Sequence, residues 1–326
     1  MSTILLTNNY KGLRLELAQQ ALPHGFKLLV PDEAEKEEIL KLAGKADYLL
    51  VSGRLRIDFD VLQAATKLKM IQRTGVGMDT VDLDAVKSFN IPIYVNKGVN
   101  AASVAEHTVM LILACLRRLP LLDSGLKKGE FLKQGLGIEG FELNGKAVGL
   151  IGAGSIGRET AKRLKAFGVK LFYYDPVRLE ESTEKPLDLN YLNLDELLRT
   201  ADILSLHCPL NEKTRHIINA DSIKLMKEAS VLVNTARGGL VDERALVQSL
   251  LSGKLAFAGL DVFETEPLPQ SSPLRSLENI VLTPHVGGVT RDSFYTMMRE
   301  AMANISLFEQ GQARQLENKR VYLNEK

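Results

Sequence analysis

The chain has 326 residues, long for a single α/β domain and comfortable for two, and its 45% apolar and 25% charged content is that of an ordinary globular protein. Its 41 basic and 40 acidic side chains leave a formal charge of +1, which gives no electrostatic case for nucleic acid or an anionic membrane as partner. Two cysteines, Cys115 and Cys208, make neither a disulfide framework nor a zinc set.

The N-terminal stretch MSTILLTNNYKG lacks the basic segment and apolar core of a secretory signal. The most apolar run, Val109–Leu116, is followed at once by Arg117 and Arg118, and it falls far short of the roughly 20 residues that span a bilayer. A cytoplasmic protein is expected.

Strands are predicted at Ile4–Thr7, Lys27–Val30, Tyr48–Val51, Met70–Arg73 and Ile91–Val95, then at Ala147–Ile151, Lys170–Tyr174, Ile203–Leu206, Ser230–Asn234, Phe257–Asp261 and Ile280–Leu282. Helical patterns such as Asp82–Ser88, Ile156–Phe167 and Asp242–Leu251 lie between them. Such alternation implies right-handed βαβ crossovers and parallel, doubly wound sheets. There are too many strands for one comfortable sheet, so two are expected. Ser103-Val-Ala-Glu106 has capping-box spacing and is expected to open a long apolar helix through Leu116. Ser124–Gly140, rich in Gly and Lys, reads as a loop or arm. A last helix is predicted from about Arg291 to Phe308. Returned to the first domain, it gives a discontinuous substrate domain (1–98 with 289–326) around a cofactor domain (99–288), with two crossings and hence a hinge and a cleft.

The sharpest local signal is Gly152-Ala-Gly154-Ser-Ile-Gly157, after the strand AVGLI and before a helix. The first glycine permits the tight turn, the second lets the backbone approach a pyrophosphate, and the third lets helix and strand pack closely. The anion then meets free N–H groups at a helix N-terminus. The next strand ends in Asp175, 23 residues after Gly152, near the spacing of a ribose-binding acid. An acid there accepts from ribose hydroxyls and repels a 2′-phosphate, so NAD is expected over NADP. Arg178, close by, would admit the 2′-phosphate if it swung in.

Three further residues follow different strands of the second domain, where open α/β sheets bind ligands. Arg237 lies in Asn234-Thr-Ala-Arg-Gly-Gly, Glu266 in Asp261-Val-Phe-Glu-Thr-Glu-Pro, and His285 in Leu282-Thr-Pro-His-Val-Gly-Gly. Reduction of a ketone leaves alkoxide charge on oxygen, and histidine suits the proton donation at neutral pH. A carboxylate on the far ring nitrogen, Glu266, fixes the tautomer and favours the imidazolium. A guanidinium, Arg237, binds a substrate carboxylate bidentately and polarises the neighbouring carbonyl. Among the other histidines, His24 and His216 lie in surface-like segments and His107 reads as structural. His207, before Cys208-Pro209, is the one rival to His285 and is expected instead to line the cofactor groove. Gly287 and Gly288 are expected to leave room there for a ligand.

The phrases LNGKAVGLIGAGSIG, LHCPLNEKT, VNTARGGLVDERAL, AGLDVFETEP and LTPHVGG, in this order, resemble the D-isomer-specific 2-hydroxyacid dehydrogenases over most of residues 48–290. That resemblance implies an α/β architecture in which a Rossmann cofactor domain is inserted into a flavodoxin-like substrate domain, with dimerisation through the cofactor domain. It puts the family's catalytic Arg, Glu and His on Arg237, Glu266 and His285. It assigns Gly152, Gly154, Ser155, Ile156, Gly157, Asp175, His207, Cys208, Pro209, Thr235, Ala236, Asp261 and Gly288 to the cofactor, and Val76, Gly77 and Asn100 to the substrate. In Arg73-Thr-Gly75-Val76-Gly77 the consecutive amides would form an anion nest. The implied reaction is hydride transfer between NAD(H) and C2 of a small D-2-hydroxy or 2-oxo acid. The Glu–His pairing fits this better than the Gln–His arrangement of the related formate dehydrogenases.

Two alternatives stay open: an NAD(H)-sensing, corepressor-like protein on the same scaffold, and phosphoglycerate dehydrogenase specifically. Arg54, Arg56 and Arg73 lie near predicted strand ends of the first domain and are candidates for a substrate phosphate. The chain stops at Lys326, so feedback through a C-terminal regulatory extension is not expected.

Overall fold

Alternating strands and helices settle into two compact units in the computed structural model, which describes residues 1–53, 55–78 and 80–321. One unit is Met1–Asn100 together with the stretch from Thr290 onward; the other is Ala101–Val289. The chain therefore passes between units after Asn100 and after Val289.

Thirteen strands are found among the described residues: β1 (Ser2–Leu6), β2 (Phe26–Leu29), β3 (Tyr48–Val51), β4 (Met70–Arg73), β5 (Ile93–Tyr94), β6 (Ala147–Ile151), β7 (Lys170–Tyr174), β8 (Leu189–Tyr191), β9 (Ile203–Leu206), β10 (Ser230–Asn234), β11 (Leu255–Leu260), β12 (Ile280–Leu282) and β13 (Arg320–Val321). The first unit's sheet has the order β13-β5-β4-β3-β1-β2. Its parallel part, 2-1-3-4-5, is the flavodoxin-like order. Successive side chains point to opposite faces, and both faces are covered, which is why these strands read as mostly apolar runs. Ile4, Leu6, Tyr48, Met70 and Tyr94 face the helix Arg291–Glu309 through Phe294, Met298, Ala301, Met302 and Ile305, spaced as one helical stripe. Leu5, Leu49, Val51, Ile71 and Ile93 meet Ile39, Val61, Leu62 and Val86 on the other face. Buried amides tie the same helix down: Asn304 Nδ2 donates to Asn96 Oδ1 at 3.0 Å, and Asn96 Nδ2 donates to the Met297 carbonyl at 2.9 Å.

The second unit's sheet runs β12-β11-β10-β9-β6-β7-β8, all parallel. Counted from β6 this is the Rossmann order with one added edge strand, and it reverses direction between β6 and β9, the crevice where such sheets bind dinucleotides. No helix among the described residues is long and apolar enough to cross a membrane.

Several expectations need correction. Ser103 is not an N-cap, because the helix already begins at Ala101; the two alanines ahead of Ser103 extend it backwards. Ser124–Gly140 is not all loop. The helix Leu119–Lys127 reaches into it, started by Pro120 near the helix N-terminus, where a proline is preorganised. The fifth strand is shorter than expected, Ile93–Tyr94: the Pro92 carbonyl still accepts from the Ile71 amide at 2.9 Å, but Pro92 has no N–H to extend the ladder. β8 and β13, three and two residues long, are too short for periodicity to register, and β13 runs antiparallel to β5, so the first sheet is mixed. By contrast the predicted helix starts at Asp82 and Asp242 are N-caps, with carboxylates accepting from the amides of Ala85 (2.9 Å) and Arg244 (3.0 Å).

Candidate active site

At the switch point the glycine loop follows β6. Gly152 has φ +100°, and a Cβ there would sit 2.6 Å from the Cys208 amide nitrogen. A Cβ on Gly157 would come within 2.3 Å of the Gly152 carbonyl oxygen, so helix and strand are locked together. Gly154 is different: a Cβ there would meet nothing within 4 Å. Gly154 and Ser155 are exposed, Ile156 is half-buried, and the helix Ser155–Lys165 has no side-chain cap. Its first N–H groups have no acceptor inside the helix, which leaves them to an anion. Asp175, at the end of β7, steadies the loop, its Oδ2 accepting from the Ala153 amide at 2.9 Å and its Oδ1 from Val177 at 3.1 Å. Spare lone pairs on the carboxylate remain for ribose hydroxyls. These features fit a dinucleotide. Arg178 is held elsewhere, its Nε and Nη2 each 3.0 Å from the Glu184 carboxylate. The expansion of specificity that a swinging Arg178 would bring has to break that fork first. Gly154→Ala is expected to weaken NADH binding roughly tenfold while leaving thermal stability alone, read by fluorescence titration and melting; unchanged affinity would mean that no phosphate approaches there.

His207 lies across the crevice, its amide donating to the Ile151 carbonyl at 2.7 Å and its Nε2 3.0 Å from Ser205 Oγ. Its Nδ1 is buried without a partner, and burial pushes the ring down from 6.5 to about 4. It is therefore neutral in the folded protein at neutral pH, suited to lining a groove rather than to donating a proton. The unfolded ring takes up a proton below about 6.5 and the folded one only near 4, so stability is full above that window and falls as pH drops through it. Unfolding free energies between about pH 6.5 and 4.5 are expected to fall more steeply with decreasing pH for wild type than for His207→Gln, by up to about 1.4 kcal/mol per pH unit; parallel slopes would refute the burial argument. Burial also raises the neighbouring Cys208 thiol to about 11, so it stays protonated and unreactive. Pro209 is exposed and its carbonyl accepts from Thr214 Oγ1 at 2.7 Å. Thr235 is buried, with its hydroxyl 2.9 Å from Thr108 Oγ1.

The three reacting-group candidates come from the ends of β10, β11 and β12, which are neighbours in the sheet. Asn234 ties its turn, its Oδ1 accepting from the Ala236 amide at 3.0 Å and its Nδ2 donating to the Arg237 carbonyl at 2.8 Å. Arg237 itself donates from Nη1 to the Ala236 carbonyl at 2.7 Å. Glu266 Oε1 accepts from the Phe263 amide at 3.1 Å, and Glu266 Oε2 lies 2.7 Å from His285 Nδ1. That bond fixes the ring and leaves Nε2 for a substrate. His285 has φ +54°, in the left-handed region that only a few per cent of non-glycine residues adopt, and its amide donates to the Asp261 carbonyl at 2.7 Å.

The glycines after His285 do not both leave open space. Gly287 is buried and its amide donates to Asp261 Oδ2 at 2.8 Å, with a Cβ there only 3.0 Å from that oxygen; a carboxylate fills the room expected for a ligand. Gly288 is half-buried. One residue the sequence reading passed over is Gly238. A Cβ there would sit 1.9 Å from the Phe263 carbonyl carbon, so the Arg237 turn lies directly on the backbone that carries Glu266. The doublet Gly238-Gly239 was the visible signal.

In the first unit, Val76 is exposed, and Arg73 Nη2 donates to the Gly77 carbonyl. Arg73 is buried and also donates to the Ser52 carbonyl at 2.7 Å and to Thr80 Oγ1 at 3.3 Å. It thus organises the Val76–Gly77 loop, and its candidacy for a substrate phosphate fails. Arg56 is exposed, 4.0 Å from Asp82, and Arg54 lies outside the described residues. Asn100 is half-buried in the turn before Ala101.

Comparison with known proteins agrees with these features. Residues 109–287 match the sequence model of the D-isomer specific 2-hydroxyacid dehydrogenase NAD binding domain. The chain is 43% identical over 279 residues to the hydroxypyruvate reductase of Thermotoga maritima, an alignment covering 85% of this chain and 89% of that one. It is 42% identical to a D-3-phosphoglycerate dehydrogenase of Methanocaldococcus jannaschii over 79% of this chain but only 49% of that longer protein. The solved apo-structure of D-lactate dehydrogenase from Escherichia coli superposes with a TM-score of 0.86 at 27% identity, over 99% of this chain and 100% of that one. The chain belongs to the D-isomer-specific 2-hydroxyacid dehydrogenase family, and is an NAD-dependent enzyme of that family.

Proposed function

We propose that this enzyme interconverts a small, unphosphorylated D-2-hydroxy acid and its 2-oxo acid, with His285 as the acid–base group. The observation that carries the reading is the 2.7 Å bond between His285 Nδ1 and Glu266 Oε2, the geometry of an imidazole oriented by a carboxylate. Bound NADH supplies the hydride that reduces C2. Arg237 binds the substrate carboxylate and polarises the carbonyl beside it. His285 Nε2 donates its proton to the carbonyl oxygen as negative charge grows there, and Glu266 stabilises the imidazolium from the opposite side. In the oxidation direction neutral His285 takes the hydroxyl proton. The amides of Val76 and Gly77, with Asn100, are further proposed partners of the substrate carboxylate. Of the arginines considered for a phosphate, Arg73 is spent on its own loop, which favours the unphosphorylated class.

NADH oxidation with glyoxylate, hydroxypyruvate, pyruvate, a bulky 2-oxo acid and 3-phosphohydroxypyruvate, side by side, tests the reading. Preference for a small unphosphorylated acid supports it. Preference for the phosphorylated acid makes the chain a phosphoglycerate dehydrogenase, and tight NADH binding without turnover makes it a sensing protein.

A homodimer through the cofactor unit is proposed as the working form. Leu119, Leu126, Phe131, Ile138 and Phe141 are all exposed along one stretch of that unit, Phe131 at 82% and Ile138 at 80%, and so large a run of uncovered apolar side chains marks an interaction surface. Light scattering is expected to give twice the 36.0 kDa chain mass, and Phe131→Asp with Ile138→Asp is expected to halve it; a monomeric wild type would refute the proposal.

A further inference from the structure

Beneath the His285 turn is a hydrogen-bonded cluster around Asp261, a residue the family resemblance assigns to the cofactor, and its hold on the His285 turn is not part of the reaction described so far. The Asp261 carboxylate is buried and accepts four donors. Thr283 Oγ1 donates to Oδ1 at 2.6 Å, the Val286 amide to Oδ1 at 2.9 Å and the Gly287 amide to Oδ2 at 2.8 Å, and His107 Nε2 lies 3.3 Å from Oδ1. The same residue's main-chain carbonyl accepts the His285 amide. His107 belongs to the helix Ala101–Leu116 and is largely buried, with its Nε2 2.8 Å from Thr283 Oγ1.

The protons in this cluster have one consistent arrangement. Burial alone would raise the Asp261 carboxyl, but the bonds from His107, Thr283, Val286 and Gly287 outweigh it and hold the group below its usual range, so it acts only as an acceptor. The single proton of Thr283 lies on the 2.6 Å bond to Asp261. Its oxygen must then accept from His107, which places a proton on His107 Nε2. Residues 283, 286 and 287 are thereby pinned on both sides of His285. A left-handed backbone at a histidine persists only where its surroundings over-determine it, and this clamp supplies that restraint.

We propose that His107 is a positioning residue for the reaction: through Thr283 and Asp261 it holds the turn that aims the His285 imidazole. The proposal rests on His285 being the acid–base group, and its first test is independent of activity. Nitrogen-15 histidine spectra of the full chain are expected to show His107 as the Nε2–H tautomer; the Nδ1–H tautomer would overturn the arrangement. In kinetics with the 2-oxo acid that the wild type turns over, His107→Leu is expected to lower kcat roughly 10- to 100-fold, with the NADH Kd within about threefold. His107→Gln, which restores a donor at that place, is expected to recover most of the loss. Wild-type kcat in the leucine variant, equal losses in both variants, or a loss confined to NADH affinity would each overturn the proposal. Should His107→Leu fail to fold, Thr283→Val and Thr283→Ser carry the same comparison, the first breaking the relay and the second keeping it, and equal kcat in those two overturns it. A wild type inactive on every 2-oxo acid would defeat the functional reading and leave the tautomer result standing.

Discussion

His285→Ala is expected to lower kcat by roughly 10²- to 10⁴-fold, the usual contribution of a positioned acid–base group, while NADH affinity stays near the wild-type value. The split follows from where His285 stands. Its ring is tied to Glu266 and its backbone to Asp261, at the end of β12, whereas the glycine loop proposed for the pyrophosphate follows β6, at the switch point several strands away in the sheet. On this proposal, removing the imidazole takes away the proton donor and leaves the proposed phosphate site untouched. Alanine at φ +54° is strained, and His285→Asn, which tolerates that conformation better, separates loss of the proton donor from loss of the turn. His285→Asn should melt near wild type and His285→Ala somewhat lower, and both should be slow. Wild-type turnover in either would remove His285 from the reaction. Glu266→Gln is expected to fall between wild type and His285→Ala, because it keeps a hydrogen bond to Nδ1 and loses the charge that favours imidazolium.

Much of the fold is legible in the sequence. β3, β4, β6, β7, β9, β10 and β12 stand where the apolar runs predicted them, because parallel strands covered on both faces are predominantly apolar. The glycine fingerprint and Asp175 were legible because each residue answers a local demand: a positive φ, an open approach, an acid at a strand end. What stayed hidden depends on atoms brought together across the fold. Arg73 looks like any strand-end arginine until its guanidinium is found on the carbonyls of Ser52 and Gly77. Arg178 looks available until Glu184 is found to hold it. Gly287 looks like room for a ligand until Asp261 fills the space. His107, 154 residues from Asp261 in sequence, has no local signature of its partner at all.

Gly238 is the sharpest case, and it carries the other large effect. An alanine there would put its Cβ 1.9 Å from the carbonyl carbon of Phe263 and 2.4 Å from the amide nitrogen of Glu264. Those atoms are backbone and have no rotamer to change, so the two loops must part. On one side of the contact is Arg237, whose carbonyl is held by Asn234. On the other is the Phe263 amide, which donates to Glu266 Oε1, and Glu266 in turn orients His285. Separation thus moves together the Arg237 guanidinium, proposed to bind the substrate, and the Glu266 carboxylate that holds the His285 ring. Gly238→Ala is expected to cost about 1–3 kcal/mol of stability, as overpacking does, and a displacement of about 1 Å among reacting groups is worth roughly 10²-fold in kcat. Gly154→Ala provides the contrast, since its Cβ meets open space: it should lose NADH affinity and keep its melting temperature, whereas Gly238→Ala should lower both melting temperature and kcat and bind NADH nearly as well as wild type. Calorimetry, fluorescence titration and steady-state kinetics on the two variants separate the outcomes. A Gly238→Ala enzyme that melts and turns over like wild type would mean that the two loops are not mechanically joined, and the positions of Arg237 and Glu266 would then have to be set independently.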